Sequence, residues 1–163
     1  MELNNRVKYQ SITKTFQDER NSCFLACIES YLADLNIYTS QDEMISKLLP
    51  SNLCDNKGFV LRPNMISAGK ILGLQIKNVE YHFPINDKYE NNSLFIGVDY
   101  NPVAPAAAKV ENGKFHMVRY SHHVNGNEFV IMDPAGWLGL RIWNKDDLNK
   151  VYKEFFYVSL IKG

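Results

Sequence analysis

A cysteine at the first turn of a helix can act as a nucleophile, and this chain offers one at Cys23. Unsatisfied backbone N–H groups and the helix macrodipole favour an anion there. A thiol so placed is biased towards the thiolate, its reactive form. Cys27 lies one turn deeper on the same face and Cys54 falls in a loop region. For both, the plain reading is a small buried hydrophobe. Gln17 stands six positions before Cys23, on the segment entering the same helix. Its carboxamide N–H₂ and the backbone N–H of Cys23 would together make an oxyanion hole for acyl transfer. Taken alone, Gln17 is equally a solvated loop residue.

A thiol nucleophile needs a base, and the chain has four histidines. His82 precedes Phe83-Pro84 with no obvious acidic partner, whereas His116, His122 and His123 fall on one strand before Asn125-Gly126. If those two residues form a tight hairpin loop, Val124 faces Asn127 and Asp133 faces Val118. His116 then shares a sheet face with Asp133 at a diagonal neighbour position, within reach of long side chains. His122 shares that face but lies roughly 13 Å further along the strand, and His123 points to the other face. A three-residue loop would break this parity. As an orienting carboxylate, Asp133 would hold the imidazole and stabilise its cation; before Pro134 and Gly136 it also fits the start of a turn. His122-His123 reads as exposed hairpin surface, and one such pair is a weak metal signal.

The elements that must bring these groups together are readable in outline. Leu25, Ile28, Leu32 and Leu35 recur at helical spacing across Asn21 to Leu35, with Asn21 or Ser22 as cap. Ser40-Gln41-Asp42-Glu43 is a capping box opening a second helix that Pro50 ends. A third helix follows Pro63, with Gly73 placed to stop it. From there the texture is β-branched and aromatic: strands are expected over 74–81, 93–100, 114–122, 127–133 and 137–143. Asn144 caps a short helix to about Val151, and 154–161 is a last strand. Helices followed by strands make an α+β fold with an antiparallel sheet. The Pro-broken loop 101–108 is of a kind that often carries function.

Length and composition limit the alternatives. The 163 residues suit a single domain over 1–163. A chain of this size buries roughly 68–70% of its unfolded surface and needs no staple. Eighteen basic residues balance eighteen acidic ones, which argues against bulk attraction to nucleic acid or anionic membrane. No apolar stretch approaches a membrane span, and residues 1–10 lack the apolar core of a secretory signal. A cytoplasmic protein, or one exported without a cleaved N-terminal signal, is expected. Three cysteines without CxxC spacing fit neither a disulfide framework nor a zinc finger. No metal or other cofactor is implied.

With these residues in view, the sequence resembles the papain-like cysteine peptidases. More narrowly, it resembles the bacteriocin-processing peptidases that cut double-glycine leader peptides and are often fused to ABC exporters. Gln17-Asp18-Glu19-Arg20-Asn21-Ser22-Cys23-Phe24-Leu25-Ala26-Cys27 is similar to that family's Q-x5-C-G-x-A-C segment. Ala68-Gly69-Lys70-Ile71-Leu72-Gly73-Leu74 is similar to its helix and Gly-Leu passage. Phe115-His116-Met117-Val118, followed by Val130-Ile131-Met132-Asp133-Pro134-Ala135-Gly136, resembles its histidine strand and DPAxG turn. The likeness spans nearly the whole chain, and its first and last pieces are the specific ones. It implies a papain-like fold, with Cys23 as nucleophile, His116 as base and acid, Asp133 as orienter and Gln17 as oxyanion donor. Phe24 departs from the pattern, since the leader peptidases usually carry Gly there and papain itself an aromatic residue.

The expected function is therefore thiol hydrolysis of a peptide amide, a cysteine protease of the leader-peptidase type with a peptide or protein substrate. A glutamine deamidase, or a toxin or effector enzyme on the same fold, would use the same chemistry with ammonia as the leaving group. A domain that binds peptide without cutting it is the alternative of another class. Such a domain has no need to keep all four groups.

Overall fold

The computed structural model describes residues 6–9, 12–18, 22–80, 94–99, 115–135 and 139–161. Expectations placed on His82, on Asn21, on Gly136 and on the loop 101–108 lie outside the described residues. In chain order the elements are β1 (Arg6–Lys8), β2 (Thr13–Thr15), α1 (Cys23–Asp34), α2 (Gln41–Leu48), α3 (Met65–Ile71), β3 (Leu74–Val79), β4 (Leu94–Asp99), β5 (Phe115–His123), β6 (Glu128–Met132), β7 (Arg141–Asn144), α4 (Lys145–Val151) and β8 (Tyr152–Leu160). Short 3₁₀ turns at Leu49–Ser51 and Arg62–Asn64 follow α2 and precede α3. The fold is α+β, as expected.

Six strands form one sheet in the order β3-β8-β4-β5-β6-β7, every neighbouring pair antiparallel. The last strand thus enters the interior of the sheet between β3 and β4. Two apolar clusters lie against this sheet. One joins α1, α2 and α3 to Leu74, Ile76, Phe95, Met117, Met132, Phe156 and Val158. The other gathers Ile96, Val118, Tyr120, Phe129, Ile131, Trp143 and Phe155 around Leu148 of α4. The sheet therefore buries apolar side chains on both of its faces.

Two features were not in the sequence reading. The first is a separate β1–β2 hairpin before α1, three residues in each strand. The second is that α1 is buried on almost every side: each residue from Cys23 to Ala33 is buried, Glu29 and Ser30 included. The expected apolar stripe is thus only part of its contact surface. α1 packs on β5 with one side and on β2 with another. Arg119 of β5 completes that packing. Its Nη1 donates to Ser30 Oγ (2.6 Å) and Asp34 Oδ2 (2.8 Å), while the guanidinium stacks over Tyr31 and Phe95. The same Asp34 accepts from the backbone N–H and hydroxyl of Thr13.

Ser40 caps α2 as expected, its Oγ accepting from Glu43 N–H at 3.1 Å, while the Glu43 carboxylate meets the Ser40 hydroxyl. Ser22 occupies the N-cap position of α1 but makes no side-chain cap bond; its hydroxyl donates to Gln41 instead. The β5–β6 turn also differs from the expected two-residue loop. Val124 N–H bonds Glu128 O, leaving three residues, Asn125 to Asn127, between them. A bulge between Tyr120 and His122 then restores the register, so that Arg119 pairs with Met132.

Candidate active site

Cys23 is the first residue of α1 and is 6% exposed. His116 stands one residue into β5 and Asp133 directly after β6, both buried. His116 Nε2 and Asp133 Oδ1 are 2.8 Å apart. The expected diagonal pairing therefore exists, although the turn that was to produce it does not. Two odd insertions, one in the loop and one in the bulge, cancel. Asp133 Oδ1 also accepts the N–H of Ala135 at 2.9 Å. The turn reading and the orienting reading of Asp133 thus describe the same oxygen.

Burial opposes a charge on His116. Against it act the charge of Asp133 and the hydrogen bond to it, then a hydrogen bond to Cys23 and the negative charge of that sulfur. Together they raise the imidazole to about 10. With Nε2 committed to Asp133, Nδ1 is the ring nitrogen left for the thiol. Cys23, His116 and Asp133 therefore form one hydrogen-bonded row at the start of α1. A row of this kind can lower the barrier to thiolate attack and return a proton to a leaving group.

Gln17 lies just beyond β2, and its backbone N–H donates to Pro134 O at 2.9 Å. That bond ties the segment carrying Gln17 to the turn carrying Asp133. Lys14 reinforces the junction: its ammonium donates to the backbone oxygen of Asp133 and lies over the Phe16 ring, 4.6 Å from the centroid. Burial lowers the Lys14 amine to about 8, against the opposing pull of Asp133.

The sequence reading missed a second polar assembly beneath Gln17. Gln41 is fully buried at the start of α2 and uses all of its hydrogen-bonding capacity. Its Nε2 donates to Phe16 O and Glu29 Oε1, both at 2.8 Å. Its Oε1 accepts from Asp18 N–H and Ser22 Oγ, both at 2.9 Å. Glu29, buried in α1, also accepts from Arg6 Nε at 3.0 Å. No pattern in the sequence separates this glutamine from an exposed one, because position 41 is merely the second letter of a capping box.

The remaining candidates lie elsewhere. Cys27 donates its S–H to Met117 O at 3.4 Å, and burial pushes its thiol up, with the Cys23 charge adding to the effect. Cys54 is half-buried beyond α2. His122 is exposed and paired with Ser121 Oγ. His123 does not point away from the Tyr120 face as expected: the bulge turns it back, and its ring packs edge-on against Tyr120 and Phe129. Among the described residues, no three His, Cys, Asp or Glu side chains gather as a metal site requires. Phe24 is buried within the α1 core cluster.

An antiparallel sheet with a cysteine-led helix on one face is the architecture of the papain-like peptidases, and solved structures share this fold. The peptidase domain of Streptococcus ComA, a bifunctional ABC transporter of a quorum-sensing pathway, superposes with a TM-score of 0.66 at 15% identity. The match covers 95% of this chain and 100% of that one. A double-glycine-motif protease from an AMS/PCAT transporter, solved with its leader peptide, gives 0.60 at 17% identity over 96% of this chain and 95% of that one. The peptidase C39-like domain of a toxin-secretion ATP-binding protein from Vibrio parahaemolyticus gives 0.58 at 11% identity, covering 87% and 98%. The fold is thus that of the C39 peptidase domains. No protein-family model and no curated protein matches the sequence.

Proposed function

We propose that this chain is a cysteine peptidase of the leader-peptidase type, cutting a peptide amide with Cys23, His116, Asp133 and Gln17. The observation that carries the reading is the row in which Asp133 holds His116 at 2.8 Å and His116 shares a hydrogen bond with Cys23. The Cys23 thiolate attacks the scissile carbonyl carbon. The developing oxyanion is received by the Cys23 N–H and the Gln17 carboxamide. The imidazolium of His116 gives its proton to the departing amine and the acyl-enzyme forms. Water, deprotonated by His116, then attacks the thioester and returns the free thiolate. Asp133 keeps the ring oriented and its cation stabilised throughout. The likeness to a double-glycine-motif protease bound to its leader peptide suggests the substrate class. Phe24 is compatible with it, since its ring is taken up by the core.

The test is to incubate the chain with double-glycine leader peptides and follow the products by mass spectrometry, alongside iodoacetamide labelling near neutral pH. New termini are expected, together with labelling of Cys23 faster than that of a free thiol; Cys23→Ala abolishes both. A one-dalton gain without cleavage would make the chain a deamidase. Labelling no faster than a free thiol, with turnover intact in Cys23→Ala, would remove the thiol mechanism altogether.

A further inference from the structure

We infer that Gln41 is a positioning residue for acyl transfer, setting the oxyanion donor Gln17 against the Cys23 sulfur. The inference rests on the reading above that Gln17 supplies that donor. The carboxamide of Gln41 grips the chain on both flanks of Gln17: Nε2 donates to the carbonyl of Phe16 and Oε1 accepts the N–H of Asp18. In extended backbone these two groups point to one side and the N–H of the residue between them to the other. That N–H, from Gln17, is taken on the opposite side by Pro134 O at 2.9 Å. The Gln17 peptide is therefore held between a side chain of α2 and the turn that carries Asp133.

The same Oε1 accepts from Ser22 Oγ, one residue before the nucleophile. A single buried carboxamide thus links the two halves of the proposed oxyanion hole, the Gln17 segment and the first turn of α1. It cannot rotate away cheaply. Its second N–H is bonded to Glu29, which Arg6 holds in turn, so an amide flip would set its oxygen against the Phe16 and Glu29 oxygens and its N–H₂ against the Asp18 N–H. An oxyanion hole works by pre-set geometry, so a donor displaced by an ångström loses much of its effect. Gln41 itself touches no reacting atom.

Two reagents separate positioning from plain support of the fold. p-Nitrophenyl acetate acylates the thiolate through a tetrahedral oxyanion: the C–S bond forms, the aryl ester C–O bond breaks and p-nitrophenolate leaves. Iodoacetamide alkylates the same sulfur by direct displacement of iodide, with no oxyanion. The shape-preserving change Gln41→Met is expected to slow Cys23-dependent acylation about tenfold or more, a part of the roughly 10²–10³ that a whole donor is worth. Alkylation should stay within about twofold. Gln17→Ala should show the same split, and the double variant should lose no more than Gln17→Ala alone. Gln41→Glu keeps the acceptors for Asp18 and Ser22 but loses the donors to both Phe16 and Glu29. It is expected to show the same split, and it decides the matter if Gln41→Met fails to fold.

Unchanged acylation in the Gln41 variants, an equal fall in both rates, or losses that multiply in the double variant would overturn the inference. A wild-type chain acylated no faster than Cys23→Ala would instead sink the enzyme reading itself.

Discussion

Asp133 Oδ1 serves the Ala135 N–H and the His116 ring together, so one oxygen both anchors the turn and holds the imidazole. The two functions separate on substitution. Asp133→Asn keeps an oxygen for both bonds but removes the charge that most strongly favours the imidazolium. The alkaline limb of kcat/KM, which reports the free enzyme's acid, should then move down from near pH 10 towards neutrality. Asp133→Ala removes oxygen and charge together, and kcat should fall on the order of 10²–10⁴-fold. A pH–rate profile of each variant checks this. An alkaline limb left unmoved in Asp133→Asn would mean that Asp133 does not govern the charge on His116. At this scale the proposed site residues Cys23, His116, Asp133 and Gln17 could be singled out in the sequence because residue type and spacing restrict thiol chemistry severely. Gln41, Lys14 and Glu29 could not. They are polar residues buried by partners distant in sequence, Lys14 by a carbonyl 119 positions away.

The elements follow their local chemistry more closely than they follow one another. Ser40 and Glu43 cap α2 because the capping box is a contract between four consecutive residues. Gly73, at φ +83°, ends α3 in the left-handed conformation that glycine adopts without strain. β1 and β2 escaped notice for the opposite reason. Arg-Val-Lys and Thr-Lys-Thr carry no apolar alternation, and Thr13, Lys14 and Thr15 are buried through hydrogen bonds and α1 packing. The β5–β6 hairpin shows how parity can survive an incorrect turn, since the bulge at Ser121 offsets the extra loop residue. Gly69 gives the element scale its test. A Cβ there would sit 2.6 Å from Ile76 Cδ1 and 2.9 Å from Ile76 Cγ1, so either the Ile76 side chain must leave its packed position or α3 must move off β3. Gly69→Ala gains about 1 kcal/mol of helix propensity but should lose more to overpacking, which costs about 1–3 kcal/mol. A fall in Tm of about 2–6 °C is expected, with Ile76→Val, which removes the nearer atom, recovering most of it. A Gly69→Ala chain that melts higher would show that the helix moves off freely.

The molecule carries no net charge, yet it concentrates ionisable groups where α1, β2 and the sheet meet: Lys14, Glu29, His116, Arg119 and Asp133 are all buried. Two of them should shape the pH dependence of its stability, with opposite signs. His116 titrates near 6.5 when unfolded and at about 10 when folded. Between those values the native state binds the extra proton. The stabilisation is complete below 6.5 and drains away as pH rises towards 10. Lys14 titrates near 10.5 when unfolded and at about 8 when folded, so between 8 and 10.5 the unfolded chain binds more protons and stability rises with pH. The urea midpoint should therefore fall from pH 6.5 to 8 and flatten above 8, where the two effects oppose. His116→Gln should erase the fall and uncover the rise. Lys14→Met should remove the flattening, so that the decline runs on towards pH 10. Midpoints measured at half-unit steps from pH 6 to 10 decide it. A wild-type curve that stays level from 6.5 to 8 would mean that the imidazole is not held as a cation in the folded chain.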